Sequence, residues 1–260
     1  MNKEYGKLTA DQFIEFIAFV PVLLSTIREM DGLIATVPDD KFLSVMPGGY
    51  GLYSHVYELP FMKHMELVIH ALNRSDDIKE IASSADPEEA ILEMLRKRED
   101  IHDKPHSSSF DDQAVVTLVY SLSRSIQSLA MHGRSISSFI DEVRKTGEQV
   151  PLLDAIRMDR SVMGCPTAMN VIAKAQLRGD TDFFNKLSNA MNGPSAKKWA
   201  PLEPMRYAFL MLKEMGLNNL SGAELEDLMV NRLKAYVPGA GDAQKNLMAQ
   251  YRNFKNIPTI

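Results

Sequence analysis

One cysteine, Cys165, stands in 260 residues. No disulfide can therefore close within the chain, and a reducing, cytoplasmic setting is the expected address. Long apolar runs are also scarce. The stretch Phe16 to Leu24 is uninterrupted apolar sequence, but it falls well short of the roughly 20 residues that cross a bilayer. Asp11 and Glu15 precede it and no small-x-small cleavage pattern follows, so a buried helix kinked at Pro21 is expected in place of a leader or a membrane span. Strict apolar/polar alternation is missing as well, and its absence excludes the sheet-supported frameworks that carry most catalytic motifs. No G-x-S-x-G occurs, and no Lys-Ser or Lys-Thr follows the glycine cluster at Pro47 to Gly51, which removes the hydrolase elbow and the phosphate loop.

What is present is helical periodicity. Hydrophobic residues make up 45% and charged residues 24%, an ordinary globular balance that excludes intrinsic disorder. Val115, Leu118, Val119, Leu122, Ile126 and Leu129 recur at i, i+3, i+4, i+7 until Gly133 stops them. Asp86-Pro87-Glu88-Glu89 reads as a cap and first turn, Ser135 caps a helix through Arg144, and Ser221 with Glu224 forms a capping box. Pro151, Pro166 and Thr181 open shorter helices, and Asp242 caps a last one. A first helix is expected from Ala10 to Met30 and another from Pro60 to Asn73. Leu52 to Leu59 is the one segment that passes for a strand.

These readings predict an all-α fold, a multi-helix bundle or stack of helical hairpins with about eleven helices and little or no sheet. Two regions are expected, 1–105 and 106–260, joined by the polar run His102 to Ser109. Residues 174–260 hold 12 Lys+Arg against 8 Asp+Glu, a net +4, and residues 1–173 hold the remaining 17 against 26, a net −9. Such asymmetry permits a basic surface on an acidic protein. Sixteen methionines suit irregular gaps between helices.

Three groups of residues bear on function. The aromatic cluster Tyr50, Tyr53, His55 and Tyr57, next to the glycine loop, is a candidate ligand pocket. Around Arg178-Gly179-Asp180 the spacing suits a helix–turn–helix unit, with Lys174, Arg178, Asn185 and Lys186 toward a groove and Lys197, Lys198 and Trp199 as a basic-aromatic loop. Asp180 and Asp182 oppose phosphate there. Five of the six histidines lie between His55 and His106.

His102-Asp103, with His64 and His70 upstream, resembles the dyad of the HD phosphohydrolases, helical enzymes that hold metal through histidine and aspartate. The resemblance implies His64, His70, His102 and Asp103 as metal ligands. It covers few residues and departs from the family, because the dyad here follows a charged run, Arg96 to Asp100, and precedes Pro105.

With no complete catalytic set, the leading expectation is a non-catalytic binding protein. Its partner is another protein or a second copy of the chain through the apolar first helix. No cofactor and no membrane are expected. Nucleic-acid binding and metal-dependent phosphohydrolysis are the alternatives.

Overall fold

Short polar residues punctuate the chain, and many of the observed helices begin on them. The computed structural model describes residues 50–96, 105–194, 199–217, 219–239 and 241–256, with scattered positions before residue 50. Among the described residues there are eleven α-helices. They are α1 (Phe61–Ala71), α2 (Ser75–Ser83), α3 (Pro87–Arg96), α4 (Asp112–His132), α5 (Ile136–Thr146), α6 (Gln149–Met158), α7 (Pro166–Leu177), α8 (Thr181–Met191), α9 (Glu203–Glu214), α10 (Gly222–Glu226) and α11 (Ala243–Lys255). A two-residue ladder, β1 (Glu4–Tyr5) against β2 (Leu8–Thr9), is the whole of the described sheet. The fold is all-α. No described helix is long and apolar enough to cross a membrane.

The caps explain where helices start. The side chains of Asp111, Ser135, Asp180 and Asp242 accept from the backbone N–H three residues on, opening α4, α5, α8 and α11. Ser221 and Glu224 bond reciprocally at the start of α10. Gly133 and Gly147 end α4 and α5 in the left-handed region, φ 69° and 74°, which a glycine enters without steric penalty.

Three elements differ from the sequence reading. Leu52 to Leu59 does not form a strand: Tyr50–Glu58 is a 3₁₀ helix. Ser54, Val56 and Tyr57 are its buried residues, and Ser54 and Tyr57, three apart, line up on one side of a three-residue turn. α2 has no buried residue, and it goes unread in the sequence because its apolar set, Ile78, Ile81 and Ala82, spans little more than one turn. The helix expected to carry Leu225, Leu228, Met229 and Leu233 gives way after Glu226 to a π-helical turn, Asp227–Arg232. The expected first helix lies largely outside the described residues, although Gln12, Ile14, Glu15, Ser25, Arg28 and Glu29 are helical.

The described stretches fall into two compact units. One gathers residues 50–72 and 106–194, the other residues 73–96 and 199–256. The passage from 105 to 106 is one of the places where the chain changes unit. In the first, Tyr57, Leu118, Ile136, Ile140, Leu152, Ile156 and Phe183 are almost wholly buried, with α6 packed against α5 and α8. In the second, Phe209 stacks on Tyr251 and Phe254 with ring centroids 5.1 and 5.9 Å apart. Near the amino end of this second unit, Arg96 holds Glu15 through Nε and Nη2 and Glu89 through Nη1.

Candidate functional site

The chemistry-bearing side chains of the first unit centre on the 3₁₀ segment Tyr50–Glu58. Its three-residue pitch turns Tyr57 into the core. The Tyr57 hydroxyl donates to Asp159 Oδ2 at 2.5 Å and lies 3.3 Å from the Ser121 carbonyl. Asp159 Oδ1 accepts the Ser161 N–H at 2.8 Å, capping a second 3₁₀ turn, Arg160–Gly164. Both carboxylate oxygens are thus committed to protein donors. Burial, reinforced by the Asp159 charge, pushes the Tyr57 phenol well above its ordinary range.

One layer away, His64 on α1 stands edge-on to Tyr57, ring centroids 5.8 Å apart. Ser121 Oγ donates to the Leu118 carbonyl at 2.8 Å, so the 2.9 Å contact with His64 Nε2 has the imidazole N–H as donor. Nδ1 is then the acceptor, and it has no partner among the described residues. Burial lowers the His64 pKa to about 4, which keeps the ring neutral at ordinary pH.

Glu58, at the end of the same segment, joins three elements. Its carboxylate accepts from Cys165 Sγ at 3.0 Å, from the Thr167 N–H at 2.8 Å and hydroxyl at 3.0 Å, and from Arg144 Nη2 at 2.5 Å. It therefore serves as a cap for α7 supplied from elsewhere in the fold. Burial alone would raise this carboxyl, but the hydrogen bonds from Cys165, Thr167 and Arg144 outweigh it and hold the pKa at about 2. Burial and the Glu58 hydrogen bond push the Cys165 thiol up to about 12. That thiol is a donor, not a nucleophile.

Beside a cleft of about 300 Å³ along Glu58, Phe61, Ser138 and Arg144, two further solvent-facing features of this unit stand out among the described residues. One is a cleft of about 300 Å³ between α4, the end of α6, the second 3₁₀ turn and the end of α8, whose polar lining includes Arg124, Arg157, Asp159, Arg160 and Asn192. Arg124 Nε donates to the Tyr120 hydroxyl at 2.9 Å, and Arg157 Nη1 to Asp154 at 2.6 Å. The other is α7. It carries one charge, Lys174, and buries only Ala168 and Ala175. Met169, Ala173 and Leu177 form an exposed row at i, i+4, i+8, and Leu177 is 89% exposed. The Gln149–Asp180 hydrogen bond, 3.1 Å, brings the start of α6 to the end of α7, and there Val150 is 67% exposed.

The residues singled out from the sequence are placed as follows. Tyr57 is fully buried, His55 is exposed, and the side chains of Tyr50 and Tyr53 lie outside the described residues. His64 is buried while His70 is exposed and packs edge-on to Phe110 at 6.2 Å, so the structure does not bring those two histidines together. His102 and Asp103 lie outside the described residues. Among the described residues, no three His, Cys, Asp or Glu side chains are placed to share a metal ion. Lys174, Arg178, Asn185 and Lys186 are exposed on α7, the turn and α8, with Lys186 paired to Asp182 at 2.6 Å. Lys197 and Lys198 lie outside the described residues, and Trp199 belongs to the other unit.

Sequence reasoning missed Glu58, Ser121, Arg124, Arg157, Asp159 and Arg160. One local signal was available: Asp159 directly before a helical turn reads as a cap.

Compared with protein-family models, curated proteins and solved structures, the chain matches none of them.

Proposed function

We propose that this chain works by protein–protein association and not by covalent chemistry, and that a second copy of the chain occupies the α7 face. The observation that carries the reading is the exposed row Met169, Ala173, Leu177 on a helix with a single charge. A soluble surface rarely leaves such a stripe without a partner. The row is self-complementary. In an antiparallel pairing about a two-fold axis at Ala173, Met169 meets Leu177 of the other copy, and the small central residue allows close approach. The inward commitment of Tyr57, His64 and Cys165 also supports a binding role, because each is buried in its neutral form.

The association should be weak. A helix of 12 residues is about 18 Å long. Stable interfaces bury about 800 Å² per partner, more than one such face supplies even with Val150 beside it. A dissociation constant on the order of 10–100 μM is expected. Sedimentation velocity from roughly 1 to 500 μM should show a rising weight-average coefficient for the native chain. Leu177→Glu should hold the protein monomeric, and Met169→Glu should weaken the dimer. A native chain that stays monomeric throughout, or one whose association ignores both substitutions, overturns the reading.

A further inference from the structure

We infer that the cleft between the starts of α1 and α5 binds the carboxylate of a small molecule with a compact apolar body. This goes beyond the self-association reading and does not depend on it. The cleft, about 300 Å³, runs from the Glu58–Arg144 pair to the first turn of α5. Ser137 lines it and is only 5% exposed, and its hydroxyl has no hydrogen-bond partner among the described residues. It stands at the second position of α5, where no carbonyl of a preceding turn of that helix is there to receive it. Native structures keep few buried hydroxyls unmet. An oxygen of a bound molecule satisfies this one.

Two backbone donors stand beside it. Phe61 and Ser137 each lie in a first helical turn, where an N–H has no intrahelical acceptor. Neither N–H finds another acceptor among the described residues. α1 begins at Pro60 without a side-chain cap, and neither helix carries an acidic residue in its first turn. The acceptors of the cleft, by contrast, are committed. Glu58 holds Cys165, Thr167 and Arg144, and Asp141 holds Arg144 through Oδ1 and Lys145 through Oδ2. The flanking charges pair off too, Lys63 with Glu66 and Arg134 with Glu142, so the side chains leave no net charge. The 3₁₀ segment ends ahead of α1 and α4 ahead of α5, but the Val56 and Leu129 carbonyls are taken by the Leu59 and Gly133 N–H groups. The two helix starts then add at most about one positive charge. One carboxylate matches that, and a dianion exceeds it. Leu59, Pro60 and Phe61 make the apolar wall, which suits a ring or short alkyl body behind the carboxylate.

The probes are benzoate, benzamide, phenyl phosphate and benzylamine, each titrated at neutral pH and low salt into the isotope-labelled full chain. Amide resonances are the readout. Benzoate should shift the Phe61 and Ser137 amides saturably at millimolar concentration, with benzamide and phenyl phosphate several-fold weaker and benzylamine silent. Ser137→Ala should weaken benzoate about fivefold or more without lowering the melting temperature, because it removes a hydroxyl the fold does not use. Ser138→Asp is the second variant. A carboxylate in the first turn of α5 favours the helix and occupies the place of the ligand's own, so benzoate binding should vanish while the melting temperature holds or rises. The absence of any saturable shift at these two amides overturns the proposal. So does binding that neither variant alters, a lower melting temperature in Ser137→Ala, or benzamide, phenyl phosphate or benzylamine binding as tightly as benzoate.

Discussion

The two units solve the problem of a core in different ways. Among the described residues, Ser54, His64, Thr117, Ser121, Gln127, Asp159 and several further serines are buried in the unit of residues 50–72 and 106–194, whereas Glu203 is the one buried polar residue of the other. That other unit packs Phe209, Leu212, Leu225, Leu247, Tyr251 and Phe254. An aromatic core tolerates reorientation of its rings but not loss of volume. A polar core fixes one arrangement, because each donor needs its acceptor and an orphaned group costs about 1–3 kcal/mol. The polar unit is also the one that carries the arginine cleft, and Asp159 belongs to both its interior and its cleft.

Substitutions can break this contrast. The largest effect should come from Phe209→Ala, which removes the ring shared by Tyr251 and Phe254 and should cost about 3–5 kcal/mol in urea unfolding. Asp159→Ala should follow at about 2–4 kcal/mol, since it orphans the Ser161 N–H and leaves the Tyr57 hydroxyl only the longer bond to the Ser121 carbonyl. Hydrogen exchange should localise the first loss to residues 199–256 and the second to residues 106–194. Equal loss of protection in both stretches for either variant would show that the two cores do not act separately.

Acid sharpens the contrast further. His64 has a folded pKa of about 4 against an ordinary 6.5. The unfolded chain therefore binds the extra proton between those values, and stability falls as pH drops from 6.5 through 4. The contribution is on the order of 2–3 kcal/mol. In His64→Phe, melting temperature should lose its slope in that window. Glu58 acts lower, at about 2 against 4.5, so its contribution is complete above 4.5 and is lost as pH falls toward 2. It is partly solvated, which reduces the effect to about 1–2 kcal/mol, and Glu58→Gln should flatten the melting curve between those two pH values. The smallest effect belongs to Lys186→Ala. Its ion pair with Asp182 is exposed on both sides, and the change should stay below about 0.5 kcal/mol.

Much of the fold was legible because its signals are local. Asp111, Ser135, Asp180, Ser221 and Asp242 cap helices within three residues of themselves, and Gly133 stops α4 by its own backbone conformation. The 3₁₀ segment escaped because Leu52 to Leu59 offers apolar residues at mixed spacing, and only the packing of Ser54, Val56 and Tyr57 into the core selects the tighter turn. The arginine cleft was invisible for a different reason. Arg124, Arg157 and Asn192 come from stretches some 30 residues apart and meet only through the packing of α4, α6 and α8. Nor does sequence spacing say that Glu58 reaches the start of α7, 109 positions away at Thr167.

Cys165 carries a practical consequence. Its sulfur is sealed from solvent and held as a protonated donor on Glu58, so a thiol-reactive dye meets it only when the joint between the 3₁₀ segment and α7 separates. Since the chain has no other cysteine, the rate of labelling counts openings of that one joint. The molecule thus contains an intrinsic gauge of its own breathing, one that can be read without adding a probe site.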